Sequence, residues 1–164
     1  MVKVSQANIP RALQTLQSKP LFIMQLEVNP YQVVGATPGG FRRMGVVPEG
    51  AFDGERLSGE VLEGGNDWQF VRADGAATLD VRLVLRTHDD ALIAMSYKGI
   101  RHVAPEITAK MDRGEDVDPA TYYFRINPVF ETAAPQYDWI NRVMGMGIGY
   151  RRPDDVVYSV FEIL

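Results

Sequence analysis

Leu79-Asp80-Val81-Arg82-Leu83-Val84-Leu85-Arg86, followed by the turn His88-Asp89-Asp90 and then Ala91-Leu92-Ile93-Ala94-Met95-Ser96-Tyr97, decides how this chain folds. Leu79, Val81, Leu83 and Leu85 alternate with Asp80, Arg82 and Arg86. A strict period of two sends alternate side chains to opposite faces of a sheet, so the stretch predicts a hairpin of two long strands. If that sheet closes on itself, one face becomes a lumen. The side on which the charges lie then separates an enclosed binding site from an ordinary solvated surface.

Further strand-like runs recur outward from this hairpin, at about 21–28, 42–48, 56–63, 67–73, 121–131, 143–151 and 156–163. Between them stand Pro38-Gly39-Gly40, Pro48-Glu49-Gly50, Glu63-Gly64-Gly65-Asn66, Asp74-Gly75 and Pro153-Asp154-Asp155, all turn chemistry. Asp74-Gly75 is the strongest tight-hairpin signal of the set. Many short strands at near-regular spacing, with few helices, predict an all-β fold: an antiparallel barrel of about eight to ten strands. Asn8 to Gln17 reads as a short amphipathic helix, with Asn8 at its N-cap and Pro10 in its first turn. Pro105 to Gly114 reads as a second helix, followed by the acidic run Glu115-Asp116-Val117-Asp118. Insertions of that length in a barrel are commonly lids or end caps. A helical turn is expected near 136–141. The predicted organisation is one barrel domain over 1–164, with a helical extension at 1–19 and a helix-plus-loop insertion at 103–120.

Composition narrows the functional classes. The chain has 164 residues, 46% apolar and 23% charged, with a net charge of -4, as in ordinary globular proteins. Its arginines are dispersed rather than clustered, so nucleic acid is not an expected partner. No apolar run approaches the roughly 20 residues that span a bilayer, and no membrane partner is expected. There is no cysteine, hence no disulfide, thiolate metal site or cysteine nucleophile. These features, with no secretory profile in the first residues, make the cytoplasm the expected compartment.

Several blocks together carry a family resemblance. They are Pro20-Leu21-Phe22, Pro38-Gly39-Gly40-Phe41-Arg42-Arg43, Gly64-Gly65-Asn66-Asp67-Trp68, Leu79-Asp80-Val81-Arg82, Tyr97-Lys98-Gly99-Ile100-Arg101, Tyr122 to Thr132, and Tyr137-Asp138-Trp139-Ile140-Asn141. In this order they resemble domain-of-unknown-function family 3237, small bacterial and fungal proteins, from about residue 20 to the C-terminus. The resemblance implies a single-domain antiparallel barrel with a central cavity. It brings no established reaction, so no catalytic role is carried over from it.

Candidate chemistry rests on the residues themselves. If Asp80, Arg82 and Arg125 face inward, two guanidiniums would keep the Asp80 carboxyl ionised as a proton-transfer base beside an anion-binding pair. The opposing reading puts Leu79, Val81, Leu83 and Leu85 in the core and solvates the charges, since charged side chains are rarely buried. Tyr123 is the candidate proton donor, and Trp68, Tyr97, Arg101, Trp139 and Asn141 join Arg82 and Arg125 as candidate substrate contacts. Aromatics on strands line pockets and fill cores alike.

Only two histidines occur, His88 and His102, without metal-ligand spacing, so no metal or other cofactor is expected. Gly145-Met146-Gly147-Ile148-Gly149 lacks the spacing of a dinucleotide loop and reads as a strand with close backbone approach. No serine has a nucleophile-elbow context. The leading reading is a cofactor-independent lyase, isomerase or cyclase acting on a small organic acid or cyclic metabolite. The alternatives are a non-catalytic small-molecule-binding barrel, and an interaction module that a filled lumen would favour. A homodimer is the expected assembly.

Overall fold

The computed structural model describes residues 5–164. Eleven strands form one antiparallel sheet: β1 (Ser18–Glu27), β2 (Gln32–Thr37), β3 (Gly40–Val47), β4 (Gly50–Asp53), β5 (Gly59–Val61), β6 (Gly65–Val71), β7 (Ala77–Thr87), β8 (Leu92–His102), β9 (Tyr123–Glu131), β10 (Gly145–Arg151) and β11 (Asp155–Ile163). Eight of them close a barrel in the order β7-β8-β9-β10-β11-β1-β4-β5, with β5 pairing back onto β7. The wall forks at β7. Residues 85–87 of that strand pair with β5, whereas residues 77–82 pair with β6, which carries β3 and the edge strand β2 as a flap beyond the ring.

Alternation along β7 is resolved in favour of a filled interior. Leu79, Val81, Leu83 and Leu85 are almost wholly buried, and Ile93, Met95 and Tyr97 meet them from β8. The opposite wall adds Leu21, Met24, Leu26, Phe124, Ile126, Tyr158 and Val160. Room for these side chains comes from β10. A Cβ on Gly147 would stand 2.5 Å from Ile126, and one on Gly149 would stand 2.5 Å from Phe124. The alternate glycines therefore turn bare backbone toward the large inward residues of β9, as their spacing predicts.

Each end of the barrel has its own cover. Helix α1 (Pro105–Asp112) follows β8 over one mouth. It has Pro105 in its first turn, and Gly114 takes a positive φ of 75° just beyond its end. At the other end a 3₁₀ helix (Pro135–Arg142) drives Ile140, fully buried, into the core. Asp89 fastens that helix by accepting hydrogen bonds from Tyr137 Oη at 2.9 Å and Gln136 Nε2 at 3.1 Å.

Two strands escape the sequence patterning, and the N-terminal helix takes a different form. β2 is exposed on both faces and so has no apolar alternation, and β4 is only four residues long. The N-terminal segment forms two single 3₁₀ turns, Gln6–Asn8 and Arg11–Leu13, in place of one continuous helix. Leu13 and Leu16 are 71% and 73% exposed, so no packing offsets the cost of nucleating so short a helix.

Gly147→Val should lower the unfolding free energy by about 1–3 kcal/mol, the usual cost of overpacking a filled core. Denaturant titration followed by circular dichroism measures it.

Candidate functional site

The polar interior of this barrel is built by β3 and β6. The β6–β7 hairpin turns through Ala73, Asp74 and Gly75, closed by Arg72 N donating to Ala76 O, with Gly75 at a φ of 81°. This three-residue loop pairs Asp67 with Val81 and Gln69 with Leu79. Val81 and Leu79 face the core, so cross-strand neighbours Asp67 and Gln69 face it too. Arg43 of β3 lies opposite Gln69, and Gly45 lies opposite Asp67. A Cβ at Gly45 would come within 3.2 Å of the Tyr31 ring, so the glycine leaves space for Tyr31 to lean over the acid.

These groups form one chain of hydrogen bonds. Arg43 Nε donates to Gln69 Oε1 at 2.9 Å, and Gln69 Nε2 donates to Asp67 Oδ2 at 2.5 Å and to Tyr31 Oη at 3.1 Å. The Arg43 guanidinium lies 4.1 Å from the centroid of the Tyr31 ring. Asp67 is 8% exposed, and its Oδ1 is fully buried without a hydrogen-bond partner among the described residues. Burial pushes its carboxyl up to about 6, against the opposing pull of the Gln69 hydrogen bond and of Arg101 and Arg43. Tyr97 and Tyr158, with ring centroids 5.6 Å apart in an edge-to-face arrangement, are also buried here, and burial raises both phenols.

Between α1 and this cluster lies a cavity of about 290 Å³, whose lining includes Tyr31, Arg43, Arg101 and Arg151 from the barrel and Met111 and Glu115 from the α1 side. Tyr31 and Arg101 also border the narrow space around Asp67 and Gln69, where only about 10 Å³ is free. The middle of the barrel is therefore full, and Tyr31 and Arg101 stand between the buried acid and the cavity at the α1 end. A carboxyl that holds or loses its proton near neutral pH beside guanidiniums suits proton transfer to or from a bound anion.

The sequence-predicted residues fall into three places. Tyr97, buried, and Arg101, 5.8 Å over the Phe124 ring, belong to the interior and its mouth. Trp68, Asp80, Tyr123 and Arg125 gather around an open groove on the outer wall, with Arg82 a step further along it. Trp139 and Asn141 sit at the far end. Trp139 stacks 4.0 Å under Arg56, and Asn141 bridges the Thr132 backbone at 2.7 and 3.0 Å. The inward-facing arrangement of Asp80, Arg82 and Arg125 does not form. Leu79, Val81, Leu83 and Leu85 occupy the lumen, so their alternating neighbours are turned outward. Asp80 is about half exposed and pairs with Lys98 at 3.5 Å.

The interior residues that sequence reasoning missed are Asp67, Gln69, Arg43, Tyr31 and Tyr158. In Asp67-Trp68-Gln69-Phe70 the ordinary reading buries the aromatics and solvates the polar pair, but the structure does the reverse. The signal lay in the turn. A two-residue Asp74-Gly75 hairpin would pair Trp68 with Val81, and one extra loop residue moves Asp67 into that position.

The match to the family described as a protein of unknown function, DUF3237, covers residues 16–163. The chain belongs to that family. A curated relative, a UPF0311 protein of Rhodopseudomonas palustris, is 34% identical over 150 residues, spanning 92% of this chain and 98% of its own. A solved structure of a conserved protein of unknown function from Rhodopseudomonas palustris superposes with a TM-score of 0.86 at 34% identity, covering 92% of this chain and 99% of that one. A β-barrel-like protein from Acinetobacter baumannii gives 0.80 at 36% identity, with 96% and 99% covered. An enzyme from Penicillium herquei shares the fold at a TM-score of 0.68 and 18% identity, over 91% and 95% of the two chains.

The raised Asp67 carboxyl has a stability signature. Between about pH 4 and about pH 6 the unfolded chain ionises this group while the folded chain keeps its proton, so stability should fall as pH rises through that window. The loss should total about 3 kcal/mol, and Asp67→Asn should remove it, making the variant the more stable protein at pH 8. Thermal unfolding from pH 4 to pH 8 reads both effects.

Proposed function

We propose that this protein is a cofactor-independent enzyme performing acid–base chemistry on a small anionic cyclic or aromatic compound at the α1-covered mouth. Asp67 exchanges the proton, and Arg43 and Arg101 hold the anion. The reaction class is a lyase, isomerase or cyclase step, in which one proton moves and no electron transfer is needed. The observation that carries this reading is the Asp67 carboxyl, buried with one oxygen unpartnered and a proton affinity near neutrality. Leaving a polar atom buried and unpaired costs stability, and such costs concentrate where function uses the group. Gln69 fixes the carboxyl, and Arg43 fixes Gln69, so the acid is held in one orientation by a fully used amide. The mouth cavity of about 290 Å³ lies near the lower end of the range for small-molecule sites. The Penicillium herquei enzyme supports catalysis in a barrel of this shape.

The filled middle of the barrel favours a second reading, a non-catalytic interaction module. Such a module gains nothing from an unpartnered buried carboxylate, and the two readings separate experimentally. A panel of hydroxylated aromatic and cyclic carboxylic acids, incubated with the protein in deuterated water, reports proton exchange at carbon by nuclear magnetic resonance. Asp67→Asn should slow exchange of any accepted compound by about 10²- to 10⁴-fold, the usual worth of a positioned acid or base. Asp80→Asn should leave it within about twofold. With Asp67 as base, the rate should climb through about pH 6. Exchange indifferent to Asp67→Asn, or exchange indifferent to Arg101→Ala, would refute the assignment.

A further inference from the structure

The outer wall holds a second concavity, independent of the interior acid. The outward face of β3 and β6, together with β7, β8 and β9, borders an open groove of about 700 Å³. Its floor is the outward face of β7 and β8, with the Asp80–Lys98 pair and Ile100. One bank carries Trp68 and Phe70, and the other carries Tyr123 and Arg125. Trp68, Tyr123 and Ile100 are 48%, 52% and 43% exposed, a cluster of large apolar surface of the kind that marks recognition sites.

Charge on the two banks selects the occupant. The Arg42 guanidinium lies 5.1 Å from the Phe70 ring centroid, and that of Arg125 lies 4.9 Å from the Tyr123 centroid. Arg125 is held there by donating from Nη1 to Phe124 O at 2.9 Å. Among the described residues neither Arg42 nor Arg125 pairs with a carboxylate, whereas arginines elsewhere on the surface, such as Arg56, Arg86 and Arg152, do. Lys98 has a carboxylate partner, Asp80, only at 3.5 Å with both side chains well exposed, a contact of little energetic worth. Cations thus outnumber carboxylates three to one around this groove, on a chain whose net charge is -4. Aromatic faces favour a flat ring, and the guanidiniums on both banks favour an anion. The volume suits a small molecule.

We infer that this groove is a binding site for a planar aromatic carboxylate or sulfonate, stacked on Trp68 and Tyr123 and anchored by Arg42 and Arg125.

The probe is 8-anilinonaphthalene-1-sulfonate, an aromatic anion with a flat naphthalene ring, titrated into the full chain and followed by its emission and by quenching of tryptophan. Saturable binding at one site is expected. Trp68→Ala and Arg125→Ser should each weaken it by about tenfold or more, in line with the worth of a stacking or cation–π contact. Asp80→Asn removes the only carboxylate among the described residues lining the groove and should tighten binding. Asp67→Asn, at the interior site, should leave it within about twofold, so that failure of the catalytic proposal and failure of this one remain distinct. The uncharged analogue N-phenyl-1-naphthylamine should bind about tenfold more weakly than the sulfonate. Should Trp68→Ala misfold by circular dichroism, Arg125→Ser and Asp80→Asn carry the test alone. Unsaturable binding, affinity unchanged by Arg125→Ser, weaker binding in Asp80→Asn, or equal affinity for the uncharged analogue would each overturn the inference. So would a dimer, seen by light scattering, that dissociates as the probe binds, because the face would then belong to a second copy of the chain.

Discussion

The facing of one carboxyl depends on a single loop residue. With three residues between Arg72 and Ala76, Asp67 stands opposite Val81 and looks inward; with two, Trp68 would take that place. Because strand side chains alternate with a period of two, the same choice sets the orientation of every residue on β6 and, through pairing, on β3. Gln69 and Arg43 reach the interior and Phe70 and Arg42 the outer wall for this one reason. Gly75 makes the choice affordable, since a positive φ at that position closes the longer turn without strain.

A buried acid in an otherwise apolar barrel sets two demands against each other. The ring is closed by leucine, valine and aromatic packing so complete that about 10 Å³ stays free around Asp67. Burial in that packing desolvates the carboxyl, which raises its proton affinity and strengthens whatever charge interactions it makes. Among the described residues Asp67 Oδ1 has no hydrogen-bond partner, a standing cost that the surrounding core must offset. Glycines at 147 and 149 contribute to that offset by letting Ile126 and Phe124 pack against bare backbone.

Most of the fold was legible because it follows from patterning. The alternation in β7, the turn clusters, the helix after β8 and the glycine run in β10 were each readable from local chemistry. β2 was not, being a solvated edge strand with no buried face to impose a period. The interior site was half legible. Tyr97 and Arg101, named from the sequence as substrate contacts, lie in the interior and beside it, whereas the acid and guanidinium trio named with them, Asp80, Arg82 and Arg125, lies on the outer wall. The identity of the acid was not readable, because period-two alternation says which residues share a face and leaves open which face is enclosed. Asp80 and Asp67 stand on neighbouring strands with opposite orientation, and only register tells them apart.

The fork at β7 has a mechanical implication. The flap joins the ring through β6 on one side and, on the other, through Asn29 N donating to Val46 O and the short step from β3 into β4, and its two surfaces carry different residues: Asp67, Gln69 and Arg43 on one side, Trp68, Phe70 and Arg42 on the other. Because alternate residues of the same two strands form both surfaces, any displacement of β6 reshapes the two together. A ligand that shifted β6 from one surface would be felt at the other, and by reciprocity the factor would be the same in both directions.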